Sequence, residues 1–169
     1  MTLATHAIVG ATVAQFFPSN PLLAFMAGFA SHYLTDAIPH WDYKILSYRR
    51  DPKDPMKNDI EMRDPNFIYD LLRIMCDLFF GVALSLYLFP IHNFAPLITL
   101  TGVIGGIFPD VLQLAYLKIR REPLISLQRF HNLVHTDIRL QDATTGIAFQ
   151  TILIMIVFFL LRIFSRGQI

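Results

Sequence analysis

The chain has one cysteine, Cys76, among 169 residues. A single thiol excludes an intramolecular disulfide, a disulfide-linked framework and a cysteine-rich zinc site. Charge is scarce as well: Asp, Glu, Lys and Arg make up 16% of the chain against 54% hydrophobic residues, and mean hydropathy is +0.46. An ordinary soluble domain carries about a quarter charged residues, so the deficit argues for one helical membrane domain over 1–169. Also missing are His-Glu-x-x-His, Gly-x-Ser-x-Gly, Glu-Glu-x-x-x-Arg and a phosphate-binding Gly-rich loop, which sets aside several common enzyme chemistries. Basic residues are mixed with acids or adjoin apolar segments, so nucleic acid is not an expected partner. The first residues lack a basic region and a small-residue cleavage site, and no secretory signal peptide is expected.

Long apolar segments are what remains. The strongest is 144–164, whose stretch from Gly146 to Leu161 carries no charge. Segments 67–89 and 96–117 follow, the second interrupted by Asp110, and 3–17 and 21–38 are shorter. Proline-rich turns at Pro18-Ser19-Asn20-Pro21 and from Pro90 through His92 to Pro96 predict antiparallel helix pairs. The expected fold is therefore all-α: about five apolar helices, in two antiparallel hairpins plus a C-terminal transmembrane helix.

All 14 Lys and Arg fall between Lys44 and Arg73, between Lys118 and Arg139, or at Arg162 and Arg166. With five helices, the loops at about 39–66 and 118–143 lie on the same side as the N-terminus. The positive-inside rule makes that side cytoplasmic, with Arg162 and Arg166 dissenting. Asp-Pro steps at Asp51, Asp54 and Asp64 predict a solvated, partly ordered first loop. Membrane lipid is the expected surrounding partner.

Against this apolar background the ionisable residues stand out. His32, Asp36 and His40 recur every four residues, a spacing that stacks side chains along one helical face, although Pro39 interrupts it. His131 and His135 share the same spacing. The two hairpins also echo one another: His6 and Asp77 each precede a glycine by four residues, and Asp36 and Asp110 each follow a glycine by eight. An antiparallel hairpin brings its start and end to one level. His6, His32, Asp36, Asp77, Asp110, His131 and His135 then converge at the cytoplasmic end, with His40 and Asp42 at the rim and Arg129 nearby. Ionisable groups at membrane depth are costly and usually face a functional interior. Imidazole and carboxylate together suit a divalent transition metal, zinc first.

The segment from Ser31 to His40 resembles the His-x-x-x-Asp…Pro-x-His signature of bacterial zinc-dependent phospholipases C. Thr5-His6-Ala7, Pro109-Asp110 and His131…His135-Thr136 resemble motifs of LexA-regulated, inner-membrane metal-dependent hydrolases. The resemblance implies an all-helical metal hydrolase in the inner membrane, with His32 and Asp36 as ligands and Asp36 bridging two zinc ions. Departures are the short spacing from Asp36 to His40, the tighter His131–His135 motif without its Arg, and the absence of an N-terminal Trp ligand. Asp36 is the expected catalytic residue. A pair of ions would activate a water for attack on a phosphoester or phospholipid-like substrate, and Arg129 would steady its phosphate. The alternative is a non-enzymatic membrane protein whose His/Asp cluster binds or conducts a metal ion or proton.

Overall fold

A computed structural model describes residues 1–89 and 95–165. Most of the Pro90–Pro96 turn, with His92, and Arg166 lie outside the described residues. The elements are α1 (Leu3–Ala14), α2 (Pro21–Asp36), strands β1 (Tyr48–Arg49) and β2 (Asp59–Ile60), α3 (Phe67–Leu88), α4 (Ala95–Ile119), α5 (Leu124–Val134) and α6 (Ala143–Ser165). The all-α bundle is as expected. Helix α5 is additional, folded from the segment read as the second loop.

Capping sets the early boundaries. The Thr2 hydroxyl accepts from the Thr5 amide, and Asn20 accepts from Leu23 with Pro21 in the first helical turn. Helix α4 continues through Pro109 and stops where Arg120 takes φ 47°.

Helix α1 is the axis of the bundle. Ten of its 12 residues are buried, and α2, α3, α4 and α6 all pack on it. At about 1.5 Å per residue it is about 18 Å long, short of the roughly 30 Å of a bilayer core. Three helices are long and apolar enough to cross a membrane: α3 over Phe67–Leu88, α4 over Pro96–Ile119 and α6 over Ala143–Phe164. Their outward faces are apolar and exposed, with Phe79, Tyr87, Ile104, Ile156 and Phe159 among them, which points to a membrane protein.

The second expected hairpin is looser than the first. Helix α4 packs chiefly on α2 and α1 and only thinly on α3. Small residues explain this. A Cβ on Gly28 or Gly106 would press into the backbone of a neighbouring helix, and one on Gly81 would stand 2.6 Å from the Ala4 Cα. Close backbone approach replaces side-chain interdigitation at this core.

The charged loop between α2 and α3 is ordered. β1 and β2 pair antiparallel, with Tyr48 opposite Ile60. Ile60 joins Tyr116 and Leu117 of α4 in a small core flanked by Met56, Phe67 and Leu124. The loop is also fastened to α3, because Ser47 donates both its amide and its hydroxyl, each at 2.7 Å, to the buried Asp70 carboxylate.

Gly106→Leu should force α1 and α4 apart, at a cost of about 1–3 kcal/mol for overpacking. Ile104→Ala, on the exposed face of the same helix, should cost much less. Thermal unfolding in detergent compares the two.

Candidate metal centre

Five of the six histidines surround one carboxylate. His6 Nε2 lies 3.2 Å and His40 Nε2 3.8 Å from Asp36 Oδ1. His32 Nε2 lies 3.2 Å, His131 Nε2 3.5 Å and His135 Nε2 3.9 Å from Asp36 Oδ2. Each oxygen of Asp36 thus faces its own set of imidazole nitrogens. The Met1 ammonium, 3.0 Å from Asp36 Oδ1 in an ion pair and 2.9 Å from His40 Nε2, sets a positive charge on the Oδ1 side.

The donors arrive on several pieces of the fold. His6 is on α1, one turn past the Thr2 cap, and His32 and Asp36 occupy the last turns of α2. His40 follows the break at Pro39. His131 is on α5, and His135 takes an extended conformation just after it. A backbone strap holds the last three in place. The Thr136 amide donates to the Asp36 carbonyl at 2.9 Å, the Leu140 amide donates to the His40 carbonyl at 3.0 Å, and His40 pairs with Arg139 in a parallel bridge.

The far side of each ring decides what the near side can do. Nδ1 of His32 sits 2.8 Å from the Gly106 carbonyl, Nδ1 of His40 2.8 Å from the Ile38 carbonyl, and Nδ1 of His135 2.8 Å from the Thr136 carbonyl. A carbonyl only accepts, so in each neutral ring Nδ1 carries the hydrogen and Nε2 presents a lone pair. His6 follows the same logic. Thr35 Oγ1, which donates to backbone carbonyls, lies 3.2 Å from His6 Nδ1 and is free to accept from it. Histidines that bind a metal commonly donate their far ring N–H to a carbonyl in this way. His6 Nε2 and His32 Nε2 are buried without a hydrogen-bond partner. Lone pairs crowded around a carboxylate repel one another unless a cation sits among them.

Three sets of side chains have ligand atoms close enough to share an ion: His6, His32 and Asp36; His32, Asp110 and His131; and Asp36, His40 and His135. His6, His32, Asp36, His40 and His131 are all buried. The Asp110 side chain is 29% exposed and that of His135 23% exposed, so the cluster opens along that edge.

Three sequence candidates, Asp77, Arg129 and Asp42, stand outside these sets. Asp77 falls in none of the three sets; its Oδ2 accepts from the Ala4 amide at 3.3 Å and the Tyr43 hydroxyl at 3.4 Å, capping the start of α1. Arg129 is exposed on α5. Asp42 also falls outside the sets, and burial pushes its carboxyl up to about 6. His40, discounted for its spacing, is fully drawn in. Burial lowers His40 to about 4 and also lowers His135, which keeps both rings neutral near pH 7.

Sequence reasoning missed Gln150, a buried amide on α6, and the Asp70–Ser47 clasp. A lone glutamine in a span otherwise apolar was the one available signal for the first. No protein-family model, curated protein or solved structure matches the chain.

Asp77→Ala should lower stability by about 1 kcal/mol through the lost cap while leaving metal content unchanged, as elemental analysis would show. For the metal-free protein, the lowered His40 and His135 take up protons less readily folded than unfolded. Stability should therefore fall as pH drops from about 6.5 toward 4. The raised Asp42 opposes this between about 6 and 3.8, so Asp42→Asn should steepen the fall, read as unfolding temperature against pH.

Proposed function

We propose that this protein is a membrane-embedded, metal-dependent hydrolase that holds two divalent ions and cleaves a phosphoester in a phospholipid-like substrate. The observation that carries the reading is the ring of Nε2 lone pairs, fixed by Nδ1 hydrogen bonds and aimed at both oxygens of one buried carboxylate. His6 and His32 with Asp36 would hold one ion, and His40 and His135 with Asp36 the other, while His131 and Asp110 approach His32 at the open edge. Donors of this kind favour zinc. Such a pair supplies an acidified water and neutralises charge on a phosphoryl oxygen.

The protein's own part is positioning and exclusion. Asp36 spans the two donor sets, the α5 strap holds His131 and His135 over it, and burial of five donors keeps bulk water from competing. The partial exposure of Asp110 and His135 leaves an approach for substrate, which a closed structural site lacks.

Depth supports a lipid substrate. Asp110 lies nine residues before the end of α4, and Gln150 lies seven residues after the start of α6. At about 1.5 Å per residue the cluster sits some 10–13 Å inside the loop-side ends of these helices and about 22 Å from their far ends. Against a core of about 30 Å centred on these helices, that is about 8–10 Å below the headgroup boundary of one leaflet. The positive-inside rule makes it the cytoplasmic leaflet, and the motif resemblance favours an inner membrane.

Purified protein should carry about two zinc ions per chain, and chelation should abolish hydrolysis of phospholipid in mixed micelles. Asp36→Asn should lose metal and activity together. Removing an outer-shell partner costs about 10–100-fold in affinity, and loss of the bridging ligand should cost more. Protein without stoichiometric metal would falsify the reading. Metal retained without phosphoester hydrolysis would favour ion binding or conduction.

A further inference from the structure

Four of the five imidazoles have the far side of the ring settled. Nδ1 of His32, His40 and His135 faces a backbone carbonyl, and that of His6 faces Thr35 Oγ1. His131 is the exception. Its Nε2 lies 3.5 Å from Asp36 Oδ2, and among the described residues its Nδ1 meets no hydrogen-bond partner. The neutral ring therefore has two choices. With the hydrogen on Nε2 it donates to Asp36. With the hydrogen on Nδ1 it offers a lone pair beside His32 and Asp110, whose ligand atoms lie within 4.8 Å of its own.

One turn earlier on α5 stands a second unmatched atom. Gln128 is 5% exposed, and its Oε1 is buried without a partner. Its other end is fixed: Gln128 Nε2 donates to Asn132 Oδ1 at 2.8 Å, and Asn132 Nδ2 donates to the Met56 sulfur at 3.5 Å. A thioether only accepts, so Asn132 turns its oxygen to Gln128, and Gln128 must answer with its nitrogen. Residues three and four ahead on a helix lie side by side. With Nε2 committed to Asn132, four ahead, Oε1 falls to His131, three ahead. Gln128 and His131 also line one cleft between α2, α4 and α5, whose other polar side chains are Tyr33 and Gln113.

We infer that Gln128 is a positioning residue for His131: its Oε1 takes the hydrogen of His131 Nδ1, so that Nε2 presents a lone pair on the His32 side of the centre instead of donating to Asp36. The pair is open in this structure, and a rotation of the imidazole or of the amide closes it. Closing it satisfies a buried acceptor that is otherwise costly and gives the fifth ring the far-side acceptor that the other four have. The consequence for metal rests on the two-ion reading above.

The test uses full-length protein carrying isotope-labelled histidine, in detergent, stripped of metal and held at about pH 8 so that the rings are neutral. Nitrogen chemical shifts report which ring nitrogen carries the hydrogen, and the His131 signals are those that His131→Gln removes. Wild type should show His131 in the Nδ1–H form. Gln128→Met should move it to the Nε2–H form and weaken cobalt binding, titrated by visible absorption, by about 10–100-fold, the usual effect of losing an outer-shell partner. Gln128→Glu keeps an acceptor, and the Asn132 amide can turn to donate to it. That variant should keep the Nδ1–H form and hold cobalt within about threefold of wild type. Tyr33→Phe and Gln113→Leu should change neither reading. If the methionine variant does not fold, the wild-type and Gln128→Glu spectra still decide. An Nε2–H ring in wild type, or a tautomer that follows Tyr33 or Gln113, overturns the inference. A shifted tautomer with unchanged cobalt affinity overturns the positioning role. Wild type that takes up no cobalt overturns the two-ion reading, and the tautomer alone then judges the pairing of Gln128 with His131.

Discussion

A carboxylate buried among five imidazoles is the constraint around which this molecule is arranged. Asp36 is almost fully removed from solvent, and five histidines approach its two oxygens within 4 Å. The Nδ1 atoms of at least three of those rings are committed to backbone carbonyls. Their near faces therefore offer electron pairs beside an already negative group, an arrangement that calls for positive charge, which the Met1 ammonium supplies on the Oδ1 side. The α1 cap, the break at Pro39, the α5 strap and the glycine contacts of α4 all serve to bring those donors to one point.

Close helix packing makes that convergence possible. Glycines let α4 lie against α1 and α2 with backbones nearly touching, which brings the Gly106 carbonyl to His32 and Asp110 to the edge of the cluster. The apolar outward faces of α3, α4 and α6 suit hydrocarbon, and the polar groups turn inward at a single level. The ordered loop between α2 and α3 adds a cap on the same side, fixed by Asp70 and by the Ile60–Tyr116–Leu117 core.

Much of the fold was legible because apolar length and proline punctuation are local properties. The helices begin and end within three residues of the expected bounds. The site was legible in part for a related reason: i, i+4 spacing and shared hairpin ends constrain position before any tertiary contact is known. His6, His32, Asp36, Asp110, His131 and His135 come together, although His135 does so from extended backbone past α5 rather than on a helical face shared with His131. Asp77 shares their level but turns to the amides of α1, and level alone does not tell a cap from a ligand. His40 was discounted on spacing, yet the chain turns after Asp36 and returns its ring to the cluster. Helix α5 was hidden because it is short and lies in a stretch flanked by Arg120, Arg121, Glu122 and Arg139, which reads as loop until Leu124 and Ile125 find the core beside α4.

By itself the sequence determined an apolar all-helical chain, the side on which its charges collect, and a histidine and aspartate set too costly to bury without purpose. Periodicity and transfer cost act residue by residue and need no knowledge of the fold. Only the tertiary structure decided which oxygen of Asp36 each imidazole faces, which ring nitrogens meet a carbonyl, and that Gln150 ties the first turn of α1 to Trp41. Those depend on contacts between segments as much as 148 residues apart, and no local pattern encodes them.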